Sequence, residues 1–152
     1  MFSFINIKEV VKNHYRTLKP EKFGNAVLFI GFPIAIGIIS IFINSVNENL
    51  DSILSTALSI FIGLFINLLV LIVSLTRTPA KEKKEIRKQV VEETFYNITY
   101  VIIISVIALA LIMLKNIDFG FSELISSNIK KGISFIFAFL FTQILLTILM
   151  II

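Results

Sequence analysis

The chain has 152 residues, of which 57% are hydrophobic and 16% charged, and its mean hydropathy is +0.94. A water-soluble domain of this length would not tolerate so apolar a composition, so the sequence predicts a membrane protein. It contains no cysteine and one histidine, which excludes thiol chemistry, disulfides, thiolate metal sites and histidine-based ligand sets. We therefore expect no enzyme and no metal or cofactor site. The net charge of +4 is modest, so its placement along the chain carries the information.

Residues 1–25 predict a cytoplasmic leader that contains an amphipathic helix. Asn6 and Glu9 form a plausible capping pair, and apolar residues then recur at helical spacing until Pro20 ends the pattern. Basic side chains occupy a separate stripe of this helix, at Lys8, Lys12, Arg16 and Lys19. Either the helix lies on the anionic inner leaflet with its apolar face in the bilayer, or the stripe is a phosphate receptor. The residues after Pro20 form a short elbow, and the sequence lacks the cleavage site of a removable signal peptide.

Residues 26–152 predict a transmembrane domain of four helices. The apolar stretches are 26–43, 53–75, 98–114 and 133–152, and none of them contains Asp, Glu, Lys or Arg. Each is close to the ~20 residues that a helix needs to cross roughly 30 Å of hydrocarbon. Their continuous apolarity excludes the alternating strands of a β-barrel. The predicted fold class is therefore an all-α membrane protein with four transmembrane helices.

The basic residues predict the orientation of these helices. Five of them lie in the leader, and six lie between the second and third spans, at Arg77, Lys81, Lys83, Lys84, Arg87 and Lys88. The loop between the first two spans has no Lys or Arg, and the loop between the last two has only Lys115, Lys130 and Lys131. By the positive-inside rule, both termini of this multi-pass protein are predicted to be cytoplasmic, with the chain in the cell inner membrane.

The third span is predicted to extend into the cytoplasm as part of a helical hairpin at 77–97. Thr78 and Pro79 are typical of a helix start, and no Gly or Pro follows up to Phe119, so one helix should run from Pro79 to about Lys115. A narrow apolar seam along the cytoplasmic part consists of Ile86, Val90, Val91 and Phe95. The seam would pack against the leader helix or another subunit, unless the hairpin is simply solvated by its charges.

The remaining part of the third span is the plainest of the four. Only Ser105, Ala108 and Ala110 interrupt a run of Ile, Val and Leu, which predicts a lipid-facing strut. In the first span, Pro33 removes one backbone hydrogen bond and should kink the helix.

The second span carries the most informative pattern. Small and polar residues recur every four positions, at Ser55, Ser59, Gly63 and Asn67. Such a face either packs tightly against a neighbouring helix or lines a water-filled path between subunits. The fourth span offers the same choice through Thr142 and Gln143. These six residues are the predicted pore-lining or helix-interface set.

These features favour self-assembly, because four helices without a charged centre cannot enclose an aqueous pore alone. We expect a cyclic homo-oligomer, with the tetramer as the preferred subunit number, that acts as a channel or membrane-permeabilising effector. An anionic ligand would bind the basic cytoplasmic face, at Lys83, Lys84, Arg87, Lys88 and the leader stripe. A nucleotide, a short oligonucleotide or an anionic lipid headgroup would fit, and duplex DNA is not expected. Two alternatives stay open, a non-conducting anchor or scaffold that recruits a soluble partner and a holin-like lysis protein.

In its layout, the chain resembles the small four-span membrane effectors of bacterial nucleotide-signalled antiphage defence systems. The resemblance covers the architecture of the whole chain, namely four spans, a basic cytoplasmic face and an Ile-, Lys- and Asn-rich composition, and involves no signature motif. In those systems, a nucleotidyltransferase makes a cyclic nucleotide or oligonucleotide that controls a membrane-disrupting protein. The resemblance therefore implies a role in antiviral defence, with such a synthase as a partner.

Overall fold

Helices make up the part of the protein that the computed structural model describes, which is residues 7–17, 27–42, 48–77, 84–117 and 123–151. Helix α1 spans Ile7–Thr17, and a π-helical segment at Val27–Gly31 leads directly into α2 at Phe32–Phe42. Helices α3 (Glu48–Arg77), α4 (Lys84–Lys115) and α5 (Glu123–Ile151) follow. Within the described ranges this arrangement confirms the predicted all-α class.

Helices α3, α4 and α5 are long and apolar enough to cross a membrane. Their candidate spans are Leu50–Ser74, Gln89–Lys115 and Ile125–Ile151, of 25, 27 and 27 residues. At about 1.5 Å per residue, each exceeds the roughly 30 Å of a hydrocarbon core. The chain is therefore a helical membrane protein in which the predicted second, third and fourth spans are present as long apolar helices.

The predicted first span corresponds to a shorter apolar helix, Val27–Phe42. Its π-helical segment has 5 residues and α2 has 11. The two segments together are about 24 Å long, which is shorter than the roughly 30 Å of a hydrocarbon core. Residues 18–26 and 43–47 on either side lie outside the described residues, so a fourth crossing stays a prediction. The π-helical segment, which breaks the regular α-helix geometry, ends at Gly31, two residues before Pro33. The missing N–H of Pro33 was expected to kink the chain in this region.

Helix α4 is the centre of the bundle. Helices α1, α3 and α5 all pack against α4, and α2 packs against α5. The prediction that this span is a lipid-facing strut is therefore wrong for one side of the helix, where Val101, Ser105 and Ala108 are completely buried, whereas Val106, Ile107 and Met113 on the other side are exposed. Small side chains such as Ser105 and Ala108 let neighbouring helices approach closely, and a helix that is apolar all round suits a buried position as well as a lipid-facing one.

The core lies where α1, α3 and α5 meet α4. Its buried members are Val10, Leu58, Tyr100, Val101, Ile104, Ala108, Ile112 and Ile144. Because lipid tails are as apolar as these side chains, packing contacts and polar links, rather than the hydrophobic effect, hold the spans together. The polar links are therefore the features that specify which helices become neighbours.

An ion pair joins α3 to α4 at one end of the bundle. Lys115 Nζ lies 3.1 Å and 2.9 Å from the two carboxylate oxygens of Asp51, and Asp51 is 5% exposed. Asp51 is in the first turn of α3 and Lys115 in the last turn of α4, so each charge also lies at the helix end whose dipole favours it. The pair sets these two helices antiparallel and fixes their register.

Helix α2 lies close to α5 at Gly37. A Cβ on Gly37 would lie 2.8 Å and 2.9 Å from two ring carbons of Phe135 and 3.3 Å from the Phe135 carbonyl oxygen. Glycine is therefore required here by lack of space between the helices.

Substituting Gly37→Ala tests this contact. We expect Gly37→Ala to lower the Tm in detergent by several degrees, because overpacking costs about 1–3 kcal/mol and exceeds the helix-propensity gain of about 1 kcal/mol. Gly132→Ala is the matched control, since a Cβ there meets nothing within 4 Å. Equal Tm values for the two variants in a thermal unfolding assay would contradict the close packing of α2 on α5.

Substituting Lys115→Met tests the ion pair. The variant leaves the buried Asp51 carboxylate without its partner, and we expect a loss of about 3 kcal/mol in unfolding free energy. The double variant Asp51→Asn with Lys115→Met should recover much of this loss, because the unpaired charge is gone. Lys130→Met, at an exposed lysine, serves as the control in the same thermal unfolding assay. A double variant no more stable than Lys115→Met would show that the carboxylate is not the source of the cost.

Candidate functional site

The polar face predicted on the second span lies on the outside of the bundle. Ser59, Gly63 and Asn67 are exposed, and Ser55 is half-buried. Helix α3 packs on α4 through an apolar row that includes Leu58. With 3.6 residues per turn, Gly63 and Asn67 project roughly opposite that row. The chain's own helices, as far as they are described, leave this face uncovered.

The exposed face is longer than predicted. Ser52, Thr56 and Ser74 are also exposed and lie on the same side of α3 as Gly63. Small or polar residues therefore recur at spacings of three or four from Ser52 to Asn67, and Ser74 lies seven residues further along the same side, which is typical of a helix–helix seam. The sequence analysis missed these three residues because it followed a strict four-residue repeat.

Hydrogen bonding distinguishes the groups on this face. The hydroxyls of Ser59 and Thr56 donate to the Ser55 and Ser52 carbonyls at 2.8 Å and 2.9 Å, within their own helix. The Asn67 amide has no hydrogen-bond partner among the described residues. A Cβ on Gly63 would meet nothing within 4 Å. Because an unpaired amide in hydrocarbon costs several kcal/mol, Asn67 requires water or a polar group from outside this set.

The two residues predicted on the fourth span lie elsewhere, inside the single chain. Thr142 is buried, and its Oγ1 donates to the Ala138 carbonyl at 2.8 Å. Gln143 is completely buried, and its Nε2 donates to the carbonyl oxygen of Phe29. The predicted set therefore separates into an exposed group on α3 and a buried group on α5, and the two do not converge.

The Gln143 contact lies at a backbone carbonyl one turn before Pro33. In an α-helix the N–H of residue 33 would bond to the carbonyl of residue 29, but proline has no N–H. Gln143 supplies a donor to that same carbonyl from α5. The sequence contains both residues, but it does not show that they meet, because the acceptor is a backbone atom.

Helix α1 docks on α4 through a buried polar and aromatic cluster that sequence reasoning did not find. His14 is completely buried, and its Nδ1 lies 2.9 Å from Asn97 Oδ1, so the ring N–H donates to the amide oxygen. The imidazole stacks on Tyr100 with ring centroids 3.9 Å apart. Tyr15 packs edge-on against both of these rings.

The leader helix was one of the predicted partners for the apolar seam of α4. The structure places α1 on α4, but its polar contacts lie at Asn97 and Tyr100, beyond the seam. Within the seam, Val90 is exposed, whereas Val91 and Phe95 are half-buried.

Burial also affects the titration of His14. Removal of the ring from water lowers the pKa of His14 below its usual value of 6.5, and the hydrogen bond with Asn97 opposes this effect in part. The imidazole is therefore neutral at pH 7 while α1 is docked.

Helix α1 exposes its basic stripe on the side away from α4. Lys8, Lys12 and Arg16 are all exposed, and their spacing of four places them along one line of the helix. The opposite side, with Val10 and His14, is buried against α4. The docked helix therefore offers cations, and not its apolar side, to its surroundings.

The other predicted ligand residues belong to the cytoplasmic hairpin. Lys84, Arg87 and Lys88 lie in the first turns of α4, whereas Lys83 of the hairpin and Lys19 of the leader lie outside the described residues. Among the residues that are described, no three His, Asp or Glu side chains come together to hold a metal ion.

Comparison with known proteins gives no match to any family model, curated protein or solved structure. The function must therefore be inferred from the surfaces and contacts of the chain itself.

Substitution of Gln143 tests its role as the donor that compensates for Pro33. Gln143→Leu leaves the Phe29 carbonyl without this partner, and we expect a loss of about 1–3 kcal/mol in stability, measured as a lower Tm in detergent. Adding Pro33→Ala should restore most of the loss, because residue 33 then has its own N–H. Purely additive effects in this double-mutant cycle would show that the two residues are not coupled.

Proposed function

We propose that the protein is a homo-oligomeric membrane channel or membrane-permeabilising effector whose subunits meet along the polar face of α3, with both termini in the cytoplasm. The observation that supports the proposal is the position of Asn67, which projects from a span-length apolar helix without a partner in the described chain. A monomer in lipid would expose this amide to hydrocarbon. A second copy of the chain, or water held between copies, removes that cost.

The position of α3 in the bundle supports such contacts. Helix α3 packs on α4 alone to any large extent within the described chain, so most of its circumference is accessible to a neighbouring subunit. Gly63 leaves open space for a close approach, as in small-residue interfaces between membrane helices. In a ring of copies, the hydroxyls of Ser59 and Thr56 and the amide of Asn67 would face the central axis and interact with water.

We further propose that the basic cytoplasmic face controls the channel by binding an anionic ligand. The exposed stripe of Lys8, Lys12 and Arg16 supports this part, because three cations along one helix line match the spacing of several phosphates. A nucleotide or short oligonucleotide is the ligand class proposed, in keeping with a role in antiviral defence. Conductance recorded in planar bilayers with and without the ligand would decide whether the ligand opens or closes the channel.

Gly63→Leu tests the subunit interface. A Cβ at this position meets nothing within 4 Å, so the fold should persist while the leucine side chain blocks the close approach of a neighbour. We expect the particle mass in mild detergent, measured by light scattering or native mass spectrometry, to fall towards that of a monomer. Gly132→Leu, where a Cβ also meets nothing within 4 Å, should retain the assembly. A wild-type protein that stays monomeric at high concentration, or an unchanged mass for Gly63→Leu, would contradict the interface.

Asn67→Leu tests conduction in planar bilayers. We expect this variant to assemble but to lose most of its conductance, because leucine replaces the polar group proposed to face the water path. Ile66→Leu, one position earlier and of equal volume, should conduct like the wild type. A wild type without conductance would indicate a scaffold, and conductance without any ligand dependence would indicate a holin-like protein.

A triple charge reversal in α1 tests ligand control. Lys8→Glu, Lys12→Glu and Arg16→Glu should abolish the response to added cyclic nucleotide or oligonucleotide while the channel itself is retained. A normal response in this variant would exclude the leader as the sensor.

A further inference from the structure

The contact between α1 and α4 includes one completely buried imidazole, that of His14. Helix α1 has 11 residues, and helices this short are marginal without tertiary contacts. Within the described chain, α4 is the helix against which α1 packs. His14 is the largest side chain that α1 buries completely, and it provides both the hydrogen bond to Asn97 and the stacking on Tyr100.

The surroundings of the ring suit its neutral form. The imidazole hydrogen-bonds to Asn97 and contacts the rings of Tyr100 and Tyr15, and these three side chains carry no charge at neutral pH. On α1 itself, Lys8, Glu9, Lys12 and Arg16 are exposed. On α4, Glu92 is exposed, and Glu93, one turn before Asn97, accepts a hydrogen bond from Gln89 at 2.9 Å. From α3 and α5, the same core receives the apolar Leu58 and Ile144, and the Asp51 carboxylate of α3 is paired with Lys115.

We propose that His14 is a pH-sensitive latch, whose neutral ring keeps α1 docked on α4 and whose protonation releases α1 together with its basic stripe. Protonation would place a charge on a ring that is completely buried and removed from water. Release returns the charged ring to water, where its hydration is recovered.

The sign of the pH dependence follows from burial. Because docking lowers the pKa of His14 below 6.5, the released helix binds more protons than the docked helix in this range. Docking is therefore fully favoured above about pH 6.5 and weakens as the pH falls towards the lowered pKa. The latch is a property of the single chain, and only its effect on ligand control rests on the proposed function.

A distance measurement tests the latch directly. The chain has no cysteine, so Lys12→Cys and Glu92→Cys, both at exposed positions, allow spin labels to be placed on α1 and α4 alone. Double electron–electron resonance should give one narrow distance distribution at pH 8. We expect a broader and longer distribution at pH 5, with the midpoint of the change below pH 6.5.

Variants at His14 identify the titrating group. His14→Phe keeps an aromatic ring against Tyr100 without a titratable nitrogen, and α1 should stay docked from pH 8 to pH 5. His14→Arg carries a permanent charge and should release α1 even at pH 8. Glu93→Gln is the control for the nearest carboxylate on α4 and should keep the wild-type midpoint.

Two results would overturn the latch. One is a wild-type distance distribution that does not change down to pH 5, and the other is acid release that persists in His14→Phe. Both measurements use folded protein at pH 8 as the reference, so they decide the matter even if His14→Arg does not fold. Conductance is recorded separately, so a pH-dependent distance without any conductance would retain the latch and reject the channel.

Discussion

Hydrocarbon supplies no hydrogen-bond partners, and this constraint organises the protein. Apolar side chains on its long helices gain little from contact with protein instead of lipid, so they do not specify which helices become neighbours. The polar groups specify the neighbouring helices instead. Gln143 connects α5 to the Phe29 carbonyl, Asp51 connects α3 to Lys115 of α4, and His14 connects α1 to Asn97 of α4. Each link satisfies groups that would be costly to expose, and the last two join α3 and α1 to α4.

The same constraint makes α3 the exception. Its serine and threonine hydroxyls on the outer face bond to carbonyls of their own helix, so they need no external partner. Asn67 has no comparable solution, since none of the described residues pairs with its amide. On this face, the hydroxyls are already hydrogen-bonded within the described chain and the amide of Asn67 is not. Such a face is suited to a contact between subunits in which water also takes part. This difference, more than the number of polar residues, is the basis for proposing an assembly.

The helices could be predicted from the sequence because their causes are local. Uninterrupted apolar runs gave α3, α4 and α5, and the lack of Gly or Pro after residue 79 gave the continuous α4 that ends at Lys115. The centre of the bundle could not be predicted, because α4 is nearly uniformly apolar along its span and shows no preferred face. Links between distant residues were also inaccessible. His14 and Asn97 are 83 positions apart, and the partner of Gln143 is a backbone carbonyl that any residue carries.

The bond from Gln143 also restricts how the protein can rearrange. Because the Phe29 carbonyl is satisfied by a side chain of α5, and the Gly37 position leaves no space for a Cβ beside Phe135, sliding α2 along α5 would disturb both contacts at once. These two helices therefore behave as one mechanical unit. In the proposed channel, a gating motion would therefore tilt α3 or lift α1 while the α2 and α5 pair moves together.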